Sequence, residues 1–147
     1  MYQLILVPID GSTTAERALQ EAIKLAGSKG ELRLVYVIEG IYPLDAEGIT
    51  YIDYPALQKA VRHTGERILA KAEKLVRQSG ARVVTALLDA GGESIAHIIV
   101  GEARKWPADL IVIGTHGRSG LSRLLLGSVA ESVVRGSSLP VLLVPKE

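Results

Sequence analysis

The sequence predicts an α/β fold: a single doubly wound, five-stranded parallel sheet with helices on both faces. Three observations predict it. Short apolar runs alternate with longer segments of helical periodicity from one end of the chain to the other. The connections between those runs are long enough for parallel pairing, and right-handed crossovers place helices on both sides of a sheet. Finally, 48% of the residues are hydrophobic but only 4% are aromatic and Phe is absent. The core must then be built from Val, Ile, Leu and Ala, which suits strands buried on both faces. A chain of 147 residues fits one domain spanning 1–147 and can bury a sizeable core without staples.

The elements follow in order. Leu4–Ile9 reads as a buried strand stopped by Asp10-Gly11. Ser12, Thr13 and Thr14 offer N-caps to a helix whose apolar face is Ala15, Ala18, Leu19, Ala22, Ile23 and Ala26, closed by Gly27 and Gly30. Leu32–Ile38 is the second strand. Residues 39–55 carry Pro, Gly and acids without a clean period and form the longest irregular stretch. A long helix runs from Ala56 to about Ser79, with Leu57, Ala60, Val61, Ile68, Leu69, Ala72, Leu75 and Val76 inward, and Gly80 ends it. Arg82–Leu88 is a strand mixed enough to sit near a sheet edge. Gly91-Gly92 opens a helix from Glu93 to about Lys105, with Ile95, Ile98 and Ile99 inward. Leu110–Ile113, a helix over Ser128–Gly136 and a strand over Pro140–Val144 complete the series, and Trp106-Pro107 ends its helix.

Composition excludes several classes of function. A net charge of +1 shows no electrostatic footprint for nucleic acid. The absence of cysteine excludes disulfides, thiolate metal sites and a Cys nucleophile, and is compatible with a cytoplasmic location. MYQLILVPIDGS lacks the charged start and long apolar stretch of a signal peptide. No apolar run approaches the ~20 residues of a membrane span. His63, His97 and His116 are scattered, without ligand spacing on one helix, so no metal site is expected. His63 and His97 read as solvent-facing or boundary residues.

Residues 111–128, IVIGTHGRSGLSRLLLGS, carry the chemistry. An apolar strand ends in Gly114, Gly117 follows, and Gly127-Ser128 precedes a helical pattern. Glycines let a backbone approach an anion without a Cβ in the way. The N–H groups of a helix's first turn, at its positive dipole end, then hold the charge. His116, Arg118 and Arg123 lie in this segment, and no Asp or Glu does. The spacing G-x-x-G-x9-G-S matches neither the Walker loop nor G-x-G-x-x-G. The plainer alternative is that these glycines only shape turns and a helix start. In doubly wound sheets ligands bind beyond the strands' C-terminal ends, where strand order reverses. If the first and fourth strands flank that point, Asp10 and the Gly114 loop share one crevice. Taken alone, Asp10 reads as an N-cap or Asx-turn residue. His116 either touches phosphate or caps the turn.

These residues resemble the universal stress protein family in its ATP-binding branch. ILVPIDGS is similar to that family's first strand and its Asp, and LVYVIE to its second strand. GESIAHIIVGEARKWPADLIVIGTHGRSGL and GSVAESVVRGSSLPVLLVP are similar to its C-terminal half. The resemblance implies a Rossmann-like sheet in strand order 3-2-1-4-5. It implies that Gly114, Gly117, Gly127 and Ser128 hold phosphates, Asp10 the ribose hydroxyls, and the backbone around Val37 the adenine edge. Pro8, His116, Arg118 and Val129 complete the implied binding set. ATP, with or without Mg2+, is the implied ligand, in a nucleotide-responsive homodimer of the stress response joined through the last strand at Val141, Leu142, Leu143 and Val144. An apolar strand at a sheet edge needs covering, and Pro145 would limit such pairing. Nucleic acid and membrane are not expected partners.

No general base or arginine finger for phosphoryl transfer is evident, so a binding module is expected. The alternative is a slow ATPase or self-phosphorylating enzyme at the same site, with Asp10 helping to place a divalent ion. A response-regulator receiver domain is a rival reading of Asp10, Asp89, Thr115 and Lys146. It would carry adjacent acids after the first strand, whereas Ile9 and Gly11 flank Asp10, and a further helix after the Lys. Tyr42, Tyr51 and Tyr54 fall in the irregular stretch, where a Tyr either stacks on a base or covers apolar surface.

Overall fold

The computed structural model describes residues 2–40, 53–117 and 126–146. Among them the elements are β1 (Leu4–Pro8), α1 (Thr13–Ala26), β2 (Glu31–Ile38), α2 (Tyr54–Gln78), β3 (Arg82–Asp89), α3 (Ile95–Lys105), β4 (Leu110–Gly114), α4 (Ser128–Gly136) and β5 (Val141–Val144). All neighbouring strands are parallel, in the order β3-β2-β1-β4-β5. Four helices cover two faces, as expected, and the mixed strand β3 is an edge.

Alternation divides the core. Ile5, Val7, Leu34, Tyr36 and Val112 point to the side covered by α1 and α2. Leu6, Val35, Ile111 and Ile113 point to the side covered by α3 and α4. Successive side chains on a strand face opposite ways, so the central strands must be apolar at nearly every position.

Local chemistry sets the helix starts. Ser12 caps α1 by accepting the Ala15 N–H at 3.1 Å. α2 begins at Tyr54 rather than Ala56, because Asp53 accepts the Ala56 N–H and Pro55 fits the first turn. α3 begins at Ile95 rather than Glu93. Gly91 and Gly92, at φ 61° and 87°, make the turn, and Ser94 caps the helix.

One expectation about α2 is corrected. Its buried residues are Gly65, Leu69, Ala72 and Val76, while Leu57 and Leu75 are 41% and 40% exposed and Ala60 is also exposed. The sheet is shorter than the helix. Arg62 already pairs with Asp89, the last residue of β3, at 2.9 Å, so Leu57 lies beyond the sheet's end. Leu75 sits on the helix flank rather than on the stripe. Tyr42, Tyr51 and most of the irregular 39–55 stretch lie outside the described residues; Tyr54 is half-buried at the start of α2.

Candidate functional site

β1 sends its chain to β2 and β3 on one side, and β4 sends its chain to β5 on the other. The order reverses between β1 and β4. Their ladder pairs Ile5 with Leu110 and Leu6 with Ile111 and then stops. Beyond it a crevice of about 430 Å³ opens at the strands' C-terminal ends.

Every predicted site residue that falls among the described residues lines this crevice. β1 and the turn after it supply Pro8 and Asp10, and β2 supplies Val37. β4 and its exit supply Gly114, His116 and Gly117, and the start of α4 supplies Gly127, Ser128 and Val129. Arg118 and Arg123 lie outside the described residues. Sequence reasoning missed Glu39, Val61, Thr115 and the helix residues Ile95 and Ile99 as wall residues. Ile95 and Ile99 had a usable signal, since they fall just inside a helix that starts behind a glycine turn. Glu39 had one too, standing two positions past Val37.

The two expectations for Asp10 are met by different oxygens. Oδ1 accepts the Ser12 N–H at 2.9 Å, which is the Asx turn. Oδ2 makes no hydrogen bond among the described residues and stands 3.0 Å from where a Gly117 Cβ would be. That oxygen remains free to accept from a ligand.

The glycines are required by the protein itself. A Cβ on Gly114 would stand 2.6 Å from Thr14 Cγ2, and one on Gly127 would stand 2.7 Å from the Thr115 carbonyl oxygen. That same carbonyl accepts the Gly127 N–H at 2.7 Å. The Thr115 N–H in turn donates to the Val144 carbonyl at 2.9 Å. The glycines therefore fold the loop tightly onto α1 and β5, which brings the start of α4 to the crevice. His116 is buried at 5% exposure, with Nδ1 2.8 Å from Thr115 Oγ1.

α4 differs from the other described helices at its start. α1, α2 and α3 have side-chain caps from Ser12, Asp53 and Ser94, whereas Gly127 gives α4 none. The first N–H groups of a helix have no partner within it. Here Ser128, Val129 and Ala130 open into the crevice. Among the described lining residues there is no Lys or Arg, and the carboxylates are Asp10 and Glu39. Among the described residues, the groups suited to attract an anion are the unpartnered backbone donors at the start of α4. Apolar walls at Val37, Val61, Ile95 and Ile99 suit a flat heterocycle. Among the described residues no three His, Asp or Glu side chains cluster as metal ligands.

The receiver-domain reading fails on geometry. In a sheet of that type the third strand lies beside the first, whereas here β3 is at the far edge. Asp89 is exposed, paired with Arg62 and not part of the crevice.

The model of the universal stress protein family matches residues 1–145. Universal stress protein MJ0531 of Methanocaldococcus jannaschii is 36% identical, over 99% of this chain and 84% of its own length. The structure of the Archaeoglobus fulgidus universal stress protein in complex with dAMP is 28% identical, with a TM-score of 0.68, over 97% of this chain and 98% of that one. A universal stress protein in complex with cAMP is 27% identical, with a TM-score of 0.72, over 99% of both chains. No described helix is long and apolar enough to cross a membrane.

Proposed function

Since the chain belongs to the universal stress protein family, we propose that its crevice binds an adenine nucleotide, ATP with Mg2+ carried on the phosphates. The observation that carries this reading is the start of α4, which has no side-chain cap and whose first residues Ser128, Val129 and Ala130 line a crevice that also holds Asp10. An anion at the first N–H groups of α4 completes their hydrogen bonding and meets the helix dipole. Asp10 Oδ2 accepts from ribose hydroxyls, a charge-assisted bond. The adenine ring lies against Val37. Complexes of relatives with dAMP and cAMP support adenine as the common part of the ligand.

The protein acts as a nucleotide-responsive homodimer in the stress response, located in the cytoplasm. β5 is apolar, lies at the sheet edge and exposes Leu142 at 37%. Antiparallel pairing of two β5 strands across a two-fold axis covers that edge. Pro145, without an N–H, ends the ladder.

The test is to purify the protein, denature it with heat and identify the released nucleotide by chromatography. Adenine nucleotide near one per chain is expected. A protein that carries none, and that titrates with neither ATP nor AMP in calorimetry, overturns the reading. Steady ADP release abolished by Asp10→Ala would make the same site that of a slow ATPase.

A further inference from the structure

We infer that the seam between α1 and α2 is a docking surface for an acidic protein segment that inserts one aliphatic side chain. A hollow of about 100 Å³ lies in that seam, with apolar walls at Ile9, Leu19, Ile68, Ala72 and Leu75. It shares only Ile9 with the nucleotide crevice, so the inference does not rest on the nucleotide reading. Leu75, which lies off the buried stripe of α2 and is 40% exposed, forms one of these walls. Size selects the occupant. A cavity of roughly 150 Å³ accepts a benzene ring. This smaller space fits the side chain of a Leu or Ile and excludes a heterocycle.

Charge selects what surrounds that side chain. α2 carries six Lys or Arg and two Glu, whereas the whole chain has a net charge of +1. Arg67, Lys71 and Lys74 are exposed, and at spacings of four and three they stand on one face of the helix. Lys71 lines the hollow itself. Among the described residues the ion pairs of α2 join Arg62 to Asp89, Lys71 to Glu16 and Arg77 to Glu73, which leaves Arg67 and Lys74 without one. The Lys71–Glu16 contact is long, at 3.6 Å, and both side chains are well exposed, so Lys71 can exchange Glu16 for another carboxylate at little cost. Glu16 stands on the α1 wall and turns an acidic partner toward α2. Like charges at this spacing repel and weaken a helix. Carboxylates of a partner relieve that repulsion while its aliphatic side chain covers Leu75 and Ile68. Nucleic acid supplies negative charge without an aliphatic anchor, and a membrane surface needs a broad apolar face rather than a small hollow.

The test is fluorescence anisotropy at physiological ionic strength with two labelled heptapeptides, Asp-Glu-Asp-Leu-Asp-Glu-Asp and its counterpart with Ser at the centre. Wild type should bind the Leu peptide about tenfold more tightly than the Ser peptide. Lys71→Glu combined with Lys74→Glu should weaken the Leu peptide by about tenfold or more. Leu75→Asp, at an exposed position, should bring the two peptides within about twofold of each other, with circular dichroism confirming that both variants fold. Equal binding of the two peptides by wild type overturns the inference, as does a Leu-peptide affinity indifferent to the lysine substitutions. Failure of both peptides to bind overturns it too. A short DNA duplex or phosphatidylserine vesicles bound more tightly than the Leu peptide, and lost in the lysine variant, would make the stripe a general polyanion surface and overturn the protein partner.

Discussion

At Asp10 one carboxylate carries a structural bond and a free acceptor on separate oxygens, which makes their contributions separable. Asn at this position keeps an oxygen for the Ser12 N–H, bonded at 2.9 Å, and replaces the free oxygen with a donor. Asp10→Asn should leave stability within about 0.5 kcal/mol while weakening ATP by about tenfold or more in calorimetry. Ser12→Ala should do the reverse. It removes the α1 cap, costs about 1 kcal/mol in chemical denaturation and leaves nucleotide affinity nearly unchanged. Equal effects of both substitutions on affinity would mean that Asp10 acts only through its turn. The residue types at this site were legible in the sequence, because an Asp after one strand and a glycine loop after another are local signals. The reason for the glycines was not. Gly114 and Gly127 answer to Thr14 and to the Thr115 carbonyl, contacts that exist only once α1 and the loop have packed. A Val at Gly127 would therefore disturb the loop itself, and a loss of binding in that variant would not report on phosphate approach.

Two glycines inside helices make opposite demands on their elements. Gly65 lies where α2 crosses β2 and β3, and a Cβ there would stand 2.8 Å from both Tyr36 Cδ1 and Leu87 Cδ1. The Leu87 methyl can yield, but the Tyr36 ring is 4% exposed and lines the crevice. Gly101 lies within α3, and a Cβ there would meet nothing within 4 Å. Ala is the better helix former by about 1 kcal/mol, so Gly101→Ala should raise stability by about 0.5–1 kcal/mol. Gly65→Ala gains the same propensity but overpacks the helix–sheet contact, at about 1–3 kcal/mol. Its net effect should be a loss, seen as a melting temperature lowered by roughly 2–6 °C in calorimetry. A stabilised Gly65→Ala would show that α2 can lift from the sheet without cost. Helical periodicity located α2 and most of its stripe. It could not show that Leu57 lies past the end of β3, because strand length and helix length are set independently and only their packing compares them. It also gave Gly65 no weight, since a residue without a side chain leaves no mark in an apolar pattern.

The crevice and the exposed edge share one strand end. The Thr115 N–H donates to the carbonyl of Val144, the last residue of β5, and Arg17 of α1 donates to the Pro145 carbonyl next to it. Thr115 also faces the crevice and accepts the Gly127 N–H. A nucleotide that reorders the turn before α4 therefore pulls on the strand proposed to join two copies. Leu142→Glu places a charge on that edge, 37% exposed in one chain, and should halve the mass seen by light scattering; an unchanged mass moves the interface elsewhere. The switch is a stricter claim than the dimer, because coupling is reciprocal: if nucleotide tightens the dimer by some factor, dimerisation tightens nucleotide by the same factor. A dilution series by sedimentation, with and without ATP, measures the first factor. Comparing ATP affinity at protein concentrations well below and well above the dimer dissociation constant measures the second. Both should agree, at about fivefold or more, the lower end of ordinary coupling between sites. A dimer dissociation constant indifferent to ATP would mean that the crevice and β5 share a hydrogen bond without sharing a function, because a ligand with equal affinity for both states shifts neither.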